Sequence, residues 1–136
     1  MKSTGLLAVL LSVAVCVGIG HGETRRVPSD YSTIQAGIDA AEDGDIVLVA
    51  PGVYFQTINF KGRDITVTST DPNDSRVVGY TVLNADGEGS VVTFSGGETS
   101  RAVLAGFTLT GGVGTFHPEL SGGSNTERLY MGAGVY

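Results

Sequence analysis

The chain has 136 residues, with 8 basic against 14 acidic side chains, 21 Gly, four Pro, one Cys and no Trp. Gly at roughly 15% is about twice its usual share, yet the absence of a three-residue Gly period excludes collagen. A hydrophobic content of 41% excludes a disordered chain, and a net charge of −6 gives no basic footprint, so neither nucleic acid nor an anionic lipid surface is expected as a partner.

Met1 and Lys2 make a short positive start, and the run from Leu6 to Gly20 is almost wholly apolar before the small-residue segment Gly18-Ile19-Gly20-His21-Gly22. This reads as a secretory signal peptide over residues 1–22, with Gly20 and Gly22 placed for a cut after Gly22 and a cut after Gly20 as the alternative. As a helix the run would span only ~22 Å against a hydrocarbon core of ~30 Å, so a permanent membrane span is not expected. Cys16 sits inside this run as apolar filler. Removal of the leader leaves 23–136, a chain without cysteine that must fold without disulfides as one domain, secreted, on the cell surface or in the periplasm.

Ser32-Thr33-Ile34-Gln35 has the form of a capping box, and Ile34, Ile38 and Ala41 share one stripe, which predicts a short helix from about Thr33 to Glu42. Asp43-Gly44-Asp45 then leads into Ile46-Val47-Leu48-Val49, an unbroken apolar strand suited to cover on both faces, ended by Pro51-Gly52. Beyond it the helical period does not return. Short β-like runs are predicted at 53–55, 57–60, 65–69, 77–83, 90–94 and 102–110, separated by Gly, Asn, Asp and Ser. Ile65-Thr66-Val67-Thr68 and Phe107-Thr108-Leu109-Thr110 alternate in the same way and read as one element repeated. Runs beginning at Ile46, Ile65, Val91 and Phe107 recur about every 20 residues, in the solenoid range, although a sandwich also fits the strands counted singly.

The segment from Val27-Pro28-Ser29-Asp30-Tyr31-Ser32-Thr33-Ile34-Gln35 through Asp43-Gly44-Asp45-Ile46-Val47-Leu48-Val49-Ala50-Pro51-Gly52-Val53-Tyr54 closely resembles the opening of right-handed parallel β-helix proteins of the pectin-lyase-like superfamily. Lys61-Gly62-Arg63-Asp64-Ile65-Thr66-Val67 and Gly106-Phe107-Thr108-Leu109-Thr110 are similar to later coils of that family. The resemblance implies an all-β solenoid whose short N-terminal helix caps the open end, with Ile46–Val49 starting the first coil. It also implies that the chain is cut short near Gly132-Ala133-Gly134-Val135-Tyr136, which looks like the start of another rung, or that a partner covers the open end. Asn59 and Asn84 are candidates for a corner amide ladder, with plain turn residues the better expectation.

Polysaccharide chemistry would need paired carboxylates, or a Ca²⁺ held by carboxylates beside a basic proton acceptor. The available acids are Asp43 with Asp45, Asp71 with Asp74, and Asp86 with Glu88, none within the family's catalytic motifs. Asp71, Asn73 and Ser75 have the spacing of a Ca²⁺ loop, but Arg76 and Val82 stand where such a loop needs Gly and Glu, so a turn is expected there and at Asp86-Gly87-Glu88-Gly89. His117, before Pro118 and Glu119, reads as a solvated loop residue, and Arg63, Arg76 and Arg101 as scattered surface charges. Asn73-Asp74-Ser75 is formally a glycosylation sequon. No catalytic residue, metal ligand or cofactor is assigned. The expected role is a scaffold or carbohydrate-contacting module outside the cytoplasm, the alternative being the N-terminal part of a polysaccharide lyase, pectinesterase or glycoside hydrolase. An open coil end adds self-association as a third expectation.

Overall fold

The computed structural model describes residues 22–116 together with 130–131. The predicted leader with Cys16 and His21, the histidine at His117 with Glu119, and the closing 132–136 segment lie outside the described residues.

Within them the elements run β1 (Thr24–Val27), α1 (Ile34–Ala40), β2 (Ile46–Val49), β3 (Gly52–Phe55), β4 (Ile58–Asn59), β5 (Thr66–Ser69), α2 (Ser75–Tyr80), β6 (Thr81–Asn84), β7 (Val92–Thr93), β8 (Val103–Ala105), β9 (Thr108–Thr110), β10 (Thr115–Phe116) and β11 (Tyr130–Met131). Strand therefore dominates, and the helices are short. Three parallel sheets take the strands in the orders β1-β2-β5-β8, β3-β6-β9 and β4-β7, while β10 and β11 form a separate antiparallel pair. From β2 to β9 the chain visits the three parallel sheets in rotation, one strand in each before returning to the first.

The register is simple where the connections are short. Thr24 faces Ile46, and Ile46 faces Thr66. The third step of this sheet, from Thr66 to Val103, is much longer because α2 and the 95–101 segment lie between. This corrects the expected ladder of Ile46, Ile65, Val91 and Phe107. Only the first two belong to one sheet; Val91 leads into β7 and Phe107 into β9. For the same reason the alternating runs at Ile65 and Phe107 are not one repeated element, and Asn59 on β4 cannot stack with Asn84 on β6.

Alternation explains the core. Val47 and Val49 of β2, Val67 of β5, Leu83 of β6, and Ile58 and Val92 of the smallest sheet all turn inward and meet Ile34 and Ile38 of α1 in one cluster. Phe60 is fully buried and stacks on Phe94 with ring centroids 4.3 Å apart. Gly37 lets the helix lie close, since a Cβ there would stand 3.1 Å from Val47 Cγ1 and 3.4 Å from Val27 Cγ2. Gly106, between β8 and β9, has φ +80°, and a Cβ would run into Ser69 Oγ and come within 2.8 Å of Pro72 Cα. Only glycine meets both demands.

Two predicted elements change and one strand is added. A strand forms before the helix: β1, Thr24-Arg25-Arg26-Val27, has no apolar pattern of its own and is held by pairing with β2. The stretch expected as a strand over 77–83 begins as helix α2, because the Asp74 side chain accepts from the Arg76 N–H at 2.8 Å and caps it. The run 102–110 is two strands in different sheets, broken at Gly106.

The helix start also differs from the capping-box expectation. Thr33, not Ser32, is the N-cap, its Oγ1 accepting from Ala36 N–H at 3.1 Å. Gln35 turns away to β4, where its Oε1 accepts from Asn59 N–H at 2.8 Å and its Nε2 donates to Asn59 O at 3.1 Å. On its other side β4 bonds to the β7 segment through Ile58 and Phe60, so the Gln35 amide takes the place that a neighbouring strand would fill, none lying there among the described residues.

Candidate functional site

Where the chain enters the strands of the four-stranded sheet, the residues just before β2 and β5 bring three carboxylates to one corner. Asp45, 6% exposed, accepts from Glu23 N–H at 2.8 Å, from Glu42 N–H at 2.9 Å, and from Arg25 Nε and Nη2 at 3.1 and 2.8 Å. Arg25 is steadied in turn by donating to the Tyr31 hydroxyl oxygen. Asp43 accepts from Asp64 N–H at 2.9 Å. Asp64, 8% exposed, accepts from Thr99 N–H and Oγ1 at 2.6 and 2.7 Å, and from Arg101, whose guanidinium is largely exposed. Two open clefts flank this corner and share Asp43 and Gly44: one of about 330 Å³ beside Arg25 and Asp45, one of about 210 Å³ beside Asp64, Thr66 and Arg101.

The electrostatics of this corner are those of a lock. Burial alone would push Asp45 up, but the Glu42 and Glu23 amides and the Arg25 guanidinium outweigh it and hold its carboxyl below the usual range. The Thr99 amide and hydroxyl, aided by Arg101, hold Asp64 down as well. Such carboxylates remain anionic at neutral pH, fully engaged, and are poor proton donors or acceptors. Apart from the local bond from Glu42 N–H, their bonds span 20 to 37 residues of sequence, so they stitch one pass of the chain to the next.

The other sequence candidates do structural work or stand apart. Asp71 accepts from Asn73 N–H in a turn, Asp74 caps α2, and Asp86, at φ +49°, lies in the turn after β6. Glu88 donates its N–H to Ala85 O in that turn. Arg63 donates to Asp39 O at 3.3 Å, Arg101 pairs with Asp64, and Arg76 is exposed on α2, so the three arginines serve different elements. Among the described residues no three His, Cys, Asp or Glu side chains are grouped to hold a metal ion, and no helix is long and apolar enough to cross a membrane.

A different surface carries exposed apolar and aromatic side chains. On the outer face of the three-stranded sheet, Val53 stands beside Val82 and Thr108, and Phe55 beside Asn84 and Thr110. Phe55 is 67% exposed, and Tyr80, one residue before β6, is 71% exposed. Strand alternation signals the first, since Val53 and Phe55 flank Tyr54, which packs on the core. Asp64 had a signal too: Asp45-Ile46 and Asp64-Ile65 repeat the same acid-before-Ile step at a strand entrance.

Compared with known proteins, the chain matches no protein-family model, no curated protein and no solved structure.

Proposed function

We propose that the chain forms the first coils of a right-handed parallel β-helix, sealed by α1, and serves outside the cytoplasm as a scaffold or carbohydrate-contacting surface module without a complete active site of its own. The observation that carries this reading is the rotation of the chain through three parallel sheets in matched register. A parallel strand needs a crossover, and crossovers in one sheet are right-handed in about 98% of cases, which supplies the hand. The helix between β1 and β2, with Gln35 paired to the β4 edge, is the lid that such a stack requires at its first pass. The apolar run ending at Gly20 supports export.

Two exposed aromatic side chains support a carbohydrate contact, Phe55 on the outer face of the three-stranded sheet and Tyr80 at the end of α2, because sugar rings bury their C–H faces against such side chains. The corner carboxylates are consumed in holding coils together, which disfavours the enzyme reading for these residues. The test is incubation of the purified chain with plant and microbial polysaccharides, reading binding, new reducing ends and the ultraviolet absorbance of unsaturated products together. Binding that weakens in Phe55→Ala and Tyr80→Ala, without new products, is expected. Turnover, or binding indifferent to both substitutions, overturns the proposal.

A further inference from the structure

The smaller of the two corner clefts, about 210 Å³, is lined by Asp43, Gly44, Asp64, Thr66 and Arg101. It lies at the entrance to β2 and β5, the two strands of the four-stranded sheet that have a paired strand on each side. Register assembles the lining. Ile46 stands opposite Thr66 and Thr66 opposite Val103, so the residues two places ahead of each, Gly44, Asp64 and Arg101, meet at the strand entrance. Gly44 adds no side chain there, which leaves the space between Asp43 and Arg101 open.

Part of this lining is already engaged and part is free. Asp64 is held by Thr99 and Arg101. Of the three corner carboxylates Asp43 alone keeps an oxygen to spare: Oδ1 accepts from the Asp64 N–H, and Oδ2 has no partner among the described residues. Strand alternation turns the Thr66 side chain to the outer face of β5, where its hydroxyl makes no hydrogen bond to the described residues. Arg101 gives Nη2 to Asp64 at 3.3 Å and, with its side chain 79% exposed, keeps Nε and Nη1 for another partner.

The three free groups differ in kind. A carboxylate oxygen only accepts, a guanidinium only donates, and a hydroxyl does both. An ammonium ligand would satisfy Asp43 and leave Arg101 unmet, while a carboxylate or phosphate would meet Arg101 and face the unpaired charge of Asp43. Adjacent ligand hydroxyls, each able to donate and accept, answer all three. Beside Thr66 on the same face stand Ile46, half-buried, and Val103, 40% exposed, an apolar rim suited to the C–H groups of a ring. The volume is below the roughly 300 Å³ at which pockets begin to take drug-sized ligands, so one ring fills it.

We infer that this cleft binds a single ring of a neutral sugar, with adjacent hydroxyls donating to Asp43 Oδ2, exchanging a hydrogen bond with Thr66 Oγ1 and accepting from the Arg101 guanidinium. The site goes beyond the aromatic contact proposed above and shares no residue with it.

Amide spectra of the purified, nitrogen-labelled chain titrated with free glucose, galactose and mannose test this. Saturable shifts centred on Gly44, Thr66 and Arg101 are expected from at least one of these hexoses, unaffected by added salt because the ligand is uncharged. Asp43→Asn keeps the Oδ1 that holds the Asp64 N–H but turns the free oxygen into a donor, and Thr66→Val removes only the hydroxyl from a branched side chain. Each should weaken binding about tenfold and leave the remaining amide signals where they stand in the parent. No saturable shift with any hexose, binding undiminished in both variants, or equal shifts from glycine, whose two charges could meet Asp43 and Arg101 without hydroxyls, overturns the inference. Shifts confined to the amides around Phe55 and Tyr80 overturn it too while leaving the aromatic contact standing; shifts at Gly44 and Thr66 with none at Phe55 and Tyr80 support the cleft and tell against the aromatic contact.

Discussion

Replacing Gln35 by alanine removes the side chain that fills the outer edge of β4 and leaves the N–H and C=O of Asn59 without their partners at 2.8 and 3.1 Å. The site is partly buried, so each lost bond costs about 1 kcal/mol, and alanine's better helix propensity returns a few tenths. A net loss of about 2 kcal/mol follows, equivalent to a fall in Tm of about 10 °C for a domain of this size. Gln35→Glu is the sharper probe. Its carboxylate still accepts from the Asn59 N–H but turns a second acceptor toward Asn59 O, and it meets Asp39 at the position where Gln35 Nε2 donates at 3.0 Å. The variant should lose at least as much as alanine at neutral pH, and its deficit relative to the parent should narrow below about pH 4, where a protonated carboxyl becomes a donor. Urea denaturation followed by circular dichroism at several pH values measures both effects. An alanine variant within about 0.5 kcal/mol of the parent, or a glutamate variant equal to the parent at pH 7, would refute the role given to this side chain.

Gly106→Ala places a methyl group against Ser69 Oγ and Pro72 at a positive φ and should cost at least about 3 kcal/mol, seen as a lower urea midpoint at unchanged slope. Phe60→Ala empties a fully buried site stacked on Phe94 and should cost about 3–5 kcal/mol by the same assay. Asp39, Asp45, Asp64 and Glu98 are all held below their ordinary pKa in the folded chain, Asp39 first through its bond from Lys61 and Glu98 through the Gly62 and Gly96 amides that outweigh its burial. A depressed folded-state pKa gives stability that is present above the unfolded value and lost as pH falls through the folded one. Unfolding free energy should therefore be level from neutrality to about pH 5 and decline below about pH 4, and Asp45→Asn should shallow that decline.

The parts of the fold legible in the sequence are those whose causes are local. Ile46–Val49 is an uninterrupted apolar run closed by Pro51, and Ile34 and Ile38 share a stripe, so β2 and α1 form where expected. β1 was invisible because Thr24-Arg25-Arg26 has no hydrophobic period; its strand character comes from β2, 22 residues away. Val77 and Val78 suggest a strand by their branched side chains, but the Asp74 cap and the bond from Thr108 Oγ1 to Val78 O settle them as helix. The Ser32-to-Gln35 spacing satisfies a local motif, while the actual partner of Gln35 is 24 residues further on, which no spacing rule reports. The corner is half legible: Asp43 and Asp45 stand two residues apart in the sequence, but Asp64 and Thr99 meet only through a contact across 35 residues.

The long passage between Ser69 and Val103 has a practical consequence. Despite that detour the chain re-enters the four-stranded sheet opposite Thr66, Val67 and Thr68 without a slip. The register of this strand is therefore kept across a connection of more than thirty residues. The exposed Thr70-Asp71 step, ahead of the Pro72 contact with Gly106 and of the Asp74 cap, is a natural place to graft a foreign peptide or an affinity label, since the added residues would emerge into water while the strands on either side keep their partners.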